Sequence, residues 1–167
     1  QNWSVSDNLY GSNVEATIQG INNPNDEIYI VCGHYDSVSG SPGADDNAAG
    51  TSVVLSAAEI MSQYHFNHTI KFVAFSGEEQ GLYGSKAYAN EASENNENIV
   101  AVLNADMMGY TETTEGEQKV VVFDNEASSW LTNYTTQISS EYHEYLNLEI
   151  VKGGTSGRSD HASFHRM

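Results

Sequence analysis

Apolar positions along the chain fall at two spacings, and the two kinds of run alternate. Asn13–Gln19 alternates apolar and polar positions (Val14, Ala16, Ile18), which predicts a half-buried strand. Gly20–Asp26, rich in Asn with one Pro, reads as a turn. Glu27–Gly33 is nearly continuous in apolar residues (Ile28 to Cys32), the pattern of a strand buried on both faces. After a flexible Ser/Gly/Pro loop over Ser37–Gly43, Ala48–Gln63 places Val53, Val54, Ala57, Ala58 and Met61 at helical spacing. Thr69–Ser76 is the next predicted strand and Leu82–Ala92 the next helix; Ile99–Asp106 is a third strong strand. A strand at Lys119–Phe123, a helix near Glu126–Ser140, a short strand at Leu148–Val151 and a loop of small residues over Gly153–Ser159 complete the series. Strands alternating with helices predict an α/β sandwich around a mostly parallel sheet.

In such sheets ligands bind beyond the carboxyl ends of the strands. Chemistry-bearing residues fall there three times: His34 and Asp36, then Glu78 and Glu79, then Asp106. Scattered surface carboxylates would not do so. Adjacent side chains in an extended or turning backbone diverge, so Glu78 and Glu79 suit two separate jobs. One can bind a cation while the other faces a bound water as general base. Asp36, two residues after His34, can accept its second ring N–H and fix the tautomer for metal binding. Asp45-Asp46-Asn47 alone would be a turn or a helix cap, and Asp45 fits no larger role. Imidazole and carboxylates on neighbouring loops form a ligand set that suits zinc, and one Asp could bridge two metals. Serine chemistry fares worse, because no Gly-x-Ser-x-Gly elbow occurs, and neither common phosphate-binding glycine loop is present. His65, His68 and His143 read as solvated histidines.

Composition narrows the partners. The 167 residues carry 23 acids against six bases, a formal charge of −17, which disfavours nucleic acid and anionic membrane. No apolar run approaches a membrane span. One domain over 1–167 is expected from the length. Gln1-Asn2-Trp3-Ser4 shows no signal peptide, and an extracellular or periplasmic location would fit the acidity. Cys32, in an apolar run, reads as a small buried hydrophobe, and the sequons at Asn2, Asn67 and Asn133 match chance in so Asn-rich a chain.

Five motifs, in order from about Asn13 onward, together resemble one family. They are His34-Tyr35-Asp36-Ser37, Pro42-Gly43-Ala44-Asp45-Asp46-Asn47-Ala48, Gly77-Glu78-Glu79-Gln80-Gly81-Leu82-Tyr83-Gly84-Ser85, Asn104-Ala105-Asp106-Met107-Met108-Gly109 and Ser159-Asp160-His161-Ala162-Ser163-Phe164. The resemblance is to the di-zinc aminopeptidases of peptidase family M28. It implies a three-layer α/β sandwich with a mostly parallel, mixed central sheet. It also implies two Zn2+ and removal of the N-terminal residue from a peptide with a free N-terminus. His34 and Asp106 would hold one zinc, Glu79 the second, and Asp46 would bridge them. Glu78 would be the general base, Asp36 would orient His34, and Asp160 and His161 would support the site. The family's fifth ligand, a histidine, lies beyond the Ser-Asp-His motif, where this sequence has only His165, so the last strands and final helix are expected to be missing. A catalytically silent metal-binding domain, and a carboxypeptidase or glutaminyl cyclase relative, are the alternatives. Six Lys and Arg in total offer little for a substrate carboxylate.

Overall fold

The computed structural model describes residues 1–6 and 9–165. The chain divides into two units, Gln1–Gly109 with Arg158–Met167, and Tyr110–Gly157. In the first, β1 (Asn2–Ser6) and β2 (Leu9–Ser12) pair antiparallel. Then β3 (Val14–Ile18), β4 (Glu27–His34), β5 (Thr69–Phe75) and β6 (Asn98–Asn104) form one sheet in the order β3-β5-β4-β6. β4 pairs parallel with β5 and with β6, whereas β3 runs antiparallel to β5. Helix α1 (Gly50–Met61) connects β4 to β5, and α2 (Tyr83–Glu94) connects β5 to β6. The sheet is therefore mixed and mostly parallel, on an α/β plan.

Alternation along β4 and β5 gives this unit two apolar clusters, because successive side chains face opposite sides of a sheet. Ile28, Ile30, Cys32, Val73 and Phe75 pack with Tyr88 of α2, and Ile99, Val102 and Phe164 lie against them. Phe75 meets Tyr88 edge-on, with ring centroids 5.6 Å apart. From the other side Ile70 and Phe72 pack with Val54 of α1, flanked by Val31, Ala57, Ala58 and Met61. The adjacent strands β4 and β5 thus feed helices on opposite faces. The loops leaving them diverge and open a crevice at the strands' carboxyl ends.

The second unit holds β7 (Lys119–Phe123), α3 (Ser129–Glu141), a short α4 (His143–Leu146) and β8 (Glu149–Gly154), with β7 and β8 parallel. A reciprocal pair starts α3: the Ser128 amide donates to Asn125 Oδ1 (2.9 Å) and the Asn125 amide donates to Ser128 Oγ (3.0 Å). No helix among the described residues is long and apolar enough to cross a membrane.

Three expectations are corrected, and one element was not anticipated. β3 is an open edge strand, so Val14 is exposed and the predicted half-burial reaches only Ile18. Val53 is exposed on α1, and of the five apolar side chains expected to pack there only Val54 is buried. β6 ends at Asn104, which leaves Asp106 in the following loop. The β1–β2 hairpin was not foreseen; its Val5 and Tyr10 are exposed, so no alternation betrays it. The other predicted elements stand within about three residues of their bounds.

The packing makes one direct prediction. Phe75→Ala, in the fully buried cluster, should lower unfolding stability by about 3–5 kcal/mol, and Leu55→Ala, on an exposed position, by less than about 0.5 kcal/mol. Urea unfolding followed by circular dichroism measures both. Equal losses would show that the cluster is not the core.

Candidate metal centre

β4 delivers the central group. His34 is its last residue and is 1% exposed. The Thr51 hydroxyl, at the start of α1, donates to the His34 carbonyl at 2.7 Å. On the ring, Nδ1 lies 3.1 Å from the Asp36 carbonyl oxygen and 3.7 Å from Asp36 Oδ1. The ring nitrogen expected to face the Asp36 carboxylate is therefore nearer the same residue's backbone. Nε2 points into the crevice, 3.1 Å from Asp46 Oδ1 and 3.5 Å from Asp106 Oδ1.

The Asp36 carboxylate has a different principal task. Its Oδ1 accepts from the Glu78 amide and its Oδ2 from the Glu79 amide, both at 3.2 Å. One side chain after β4 thus clamps the turn after β5. That turn closes on itself, with the Gly81 and Leu82 amides donating to the Glu78 carbonyl (both 2.8 Å). It needs a left-handed residue directly before the glutamates, and Gly77 supplies it at φ 74°.

Asp46 sits in an irregular helical turn, Ala44–Ala49, ahead of α1. Asp45 ties this turn to the loop after β6, where its Oδ1 accepts from the Gly109 amide at 2.7 Å. In that loop Asp106 Oδ2 accepts from the Ser159 hydroxyl at 2.6 Å, and Ser159 Oγ accepts in turn from Asn104 Nδ2 at 2.6 Å. Asp160 is fully buried at the start of the turn Asp160–Ser163.

Two overlapping sets of ligand-type atoms result, each with its atoms within 4.8 Å of one another: His34, Asp46 and Glu79, and His34, Glu78 and Asp106. His34 is common to both sets, standing with Asp106 in one and with Glu79 in the other. His161 and His165 belong to neither set among the described residues; their rings face each other at 5.4 Å.

The electrostatics fit a cation. Burial opposes a charge on His34, yet Asp106 and Asp36 outweigh it and raise the imidazole to about 11. Burial pushes Glu78 up to about 7; the His34 charge opposes this, and Asp160, Asp106 and Glu79 add to it. Burial and then Asp46 raise Glu79. Burial likewise lifts Asp160 to about 6, with the Ser85 hydroxyl pulling the other way. Despite burial, Asp36 is lowered by His34 and the two amides, and Asp106 by His34 and Ser159. Glu79 Oε1 and Asp106 Oδ1 are buried oxygens with no hydrogen-bond partner. Acceptors without donors, beside an imidazole nitrogen, are what a divalent cation requires.

The residues proposed from sequence take places in or directly behind this cluster, His161 through the charge it sets against Asp106. Asn104, Ser159 and Thr51 were missed as contributors. Two of them lie within or beside the quoted motifs, but nothing in a Ser or Asn side chain announces that it faces a carboxylate.

An imidazole and several carboxylates, gathered at the carboxyl ends of parallel strands, give this α/β domain a candidate metal centre. The chain belongs to peptidase family M28, whose model matches residues 13–167. Aminopeptidase YwaD of Bacillus subtilis (strain 168) is 34% identical over 161 residues, covering 93% of this chain and 34% of that protein. The solved structure of BSAP, a zinc aminopeptidase from Bacillus subtilis, superposes with a TM-score of 0.77 at 32% identity, over 96% of this chain and 38% of its own. LapB from Legionella pneumophila gives a TM-score of 0.80 at 25% identity, over 98% and 45%. The chain thus spans between about a third and a half of the length of these relatives.

The clamp on the glutamate turn can be tested by substitution. Asp36→Ala should cost the metal-free chain about 2 kcal/mol, from two lost charge-assisted hydrogen bonds. Asp36→Asn, which keeps one acceptor oxygen, should cost roughly half as much. Urea midpoints give both values, and a neutral Asp36→Ala would show that the turn holds without the clamp.

Proposed function

We propose that this chain carries the catalytic centre of a metallo-exopeptidase that releases the N-terminal residue from peptides. The observation that carries the proposal is the divergence of Glu78 and Glu79 into different atom sets around one imidazole. Family membership and the aminopeptidase names of the relatives support it. On this reading the domain is a three-layer sandwich with α1 and α2 on opposite faces of the sheet.

The residues fit two zinc ions. His34 and Asp106 would hold one, Glu79 would bind the other, and Asp46 would bridge them. His34 and Asp106 share one of the two observed sets, and Asp46 and Glu79 share the other. When bound, such ions polarise a scissile carbonyl and acidify a water.

The chain's own residues carry the proton. Glu78, which faces the cluster without being one of the proposed ligands, can accept the proton of the attacking water and return it to the departing amine. Asp36 keeps the base in register through the amides of Glu78 and Glu79. Six Lys and Arg in the whole chain offer little to bind a substrate's C-terminal carboxylate, which favours a substrate held by its N-terminal end. That preference separates an aminopeptidase from a carboxypeptidase on one fold.

Hydrolysis of an aminoacyl chromogenic substrate, with added Zn2+ and with a chelator control, tests the activity. Turnover abolished by the chelator and restored by Zn2+ is the expected result; turnover indifferent to the chelator would refute it. Glu78→Gln should keep its zinc and lose about 10²–10⁴-fold in kcat. Glu79→Gln should weaken zinc binding itself. Loss of zinc in Glu78→Gln, with zinc retained in Glu79→Gln, would mean that the two glutamates have exchanged roles.

A further inference from the structure

Asp46 is followed by a side chain that the proposed chemistry does not use. Asn47 is 1% exposed and among the largest fully buried side chains. Its Nδ2 donates to the Ala105 carbonyl at 2.9 Å. Its Oδ1 accepts from the Gly50 amide at 2.9 Å and from the Met107 amide at 3.3 Å. Ala105 and Met107 flank Asp106. The carbonyl and the amide that Asn47 holds belong to the two peptide groups joining Asp106 to its neighbours. Each peptide group is planar, so fixing both determines φ and ψ of Asp106 and the direction in which its carboxylate leaves the backbone.

The ordinary account of a buried Asn is a satisfied core residue that caps a helix, and the Gly50 amide, first in α1, fits that account. A cap needs neither of the contacts to the Asp106 loop. It also does not need the space cleared around this side chain. A Cβ on Gly50 would lie 2.2 Å from the Ala105 oxygen and 2.3 Å from Asn47 Oδ1. On Gly33 it would lie 2.8 Å from the same oxygen and 3.4 Å from Asn47 Nδ2. Two elements, β4 and α1, therefore give up side chains where Asn47 meets the loop after β6. Met107 adds a further sign of constraint. It adopts φ 53°, a left-handed backbone that disfavours any residue with a side chain, and its amide is one that Asn47 holds.

We propose that Asn47 is a positioning residue of the metal centre. It locks the backbone of Asp106 to the segment carrying Asp46, so that both carboxylates keep their places about His34. The proposal rests on the reading of Asp46 and Asp106 as cation ligands. Outer hydrogen bonds of this kind typically alter metal affinity about 10–100-fold.

The test is a double-mutant cycle read by Zn2+ binding to the metal-free chain, in competition with a chromophoric chelator. Urea unfolding of each metal-free variant runs alongside. Asn47→Ala should weaken Zn2+ binding about 10–100-fold in the native background and less than about 3-fold in the Asp106→Ala background. Its loss of unfolding stability should be similar in both. Equal weakening in the two backgrounds, or lost stability with unchanged Zn2+ affinity, would reduce Asn47 to a structural residue and overturn the proposal. If Asp106→Ala alone leaves Zn2+ binding unchanged, the ligand reading fails and the role of Asn47 falls with it. Should Asn47→Ala not fold, Asn47→Asp replaces it in the same cycle. That variant keeps the acceptor for Gly50 and Met107, sets an oxygen against the Ala105 carbonyl, and should show the same dependence on background.

Discussion

One imidazole among crowded carboxylates is the constraint on which the rest of the structure depends. Oxygens of Asp46 and Glu79, and of Glu78 and Asp106, lie within 4.8 Å of each other and of His34. Two unit charges at that separation repel by about 3–4 kcal/mol at an effective dielectric of 20. The chain offsets part of this internally. His34 is driven toward its charged form, Asp36 takes two amide protons, Ser159 donates to Asp106, and Glu78 is lifted toward neutrality. Among the buried acceptors left without donors are Glu79 Oε1 and Asp106 Oδ1, which belong to the two sets of ligand-type residues, and a divalent cation would answer them.

Such a cluster cannot be held by loops that find their own conformation. Each ligand-bearing loop here is tied to a neighbour by a side chain bonded to backbone: Asp36 to the glutamate turn, Thr51 to His34, Asp45 to Gly109, Asn47 to both sides of Asp106. Asn13 adds another tie, taking the Ser76 amide and donating to the Gly84 carbonyl at the two ends of the glutamate turn. These ties start from strands whose apolar side chains are fixed between α1 and α2. Preorganisation of the charges is therefore inherited from the hydrophobic core. The order of cause runs from β4 and β5 outward to the loops and then to the carboxylates.

Much of this was legible in the residues. The apolar runs of β4, β5 and β6 announced parallel strands, and the acids and the histidine stood at their ends, where open α/β sheets bind ligands. Elements without an apolar period stayed hidden, as in the β1–β2 hairpin, whose Val5 and Tyr10 face solvent. So did the partners of uncharged polar groups. Ser159, Asn104 and Thr51 have side chains that serve equally well on a surface or in a turn, and only the fold shows which carbonyl or carboxylate each one meets.

Which ligands would share an ion was hidden for a different reason: it depends on strand order. In sequence, His34 precedes both the glutamates and Asp106, and nothing in that order says which of them is its neighbour. The sheet runs β5-β4-β6, so the strand that ends in His34 lies between the strand leading to Glu78 and Glu79 and the strand leading to Asp106. A central strand places its terminal side chain within reach of the loops on both sides. That is why a single imidazole belongs to both atom sets, one with Glu79 and one with Asp106. The parallel connections through α1 and α2 produce this order, and with it the geometry that any bound ion would meet.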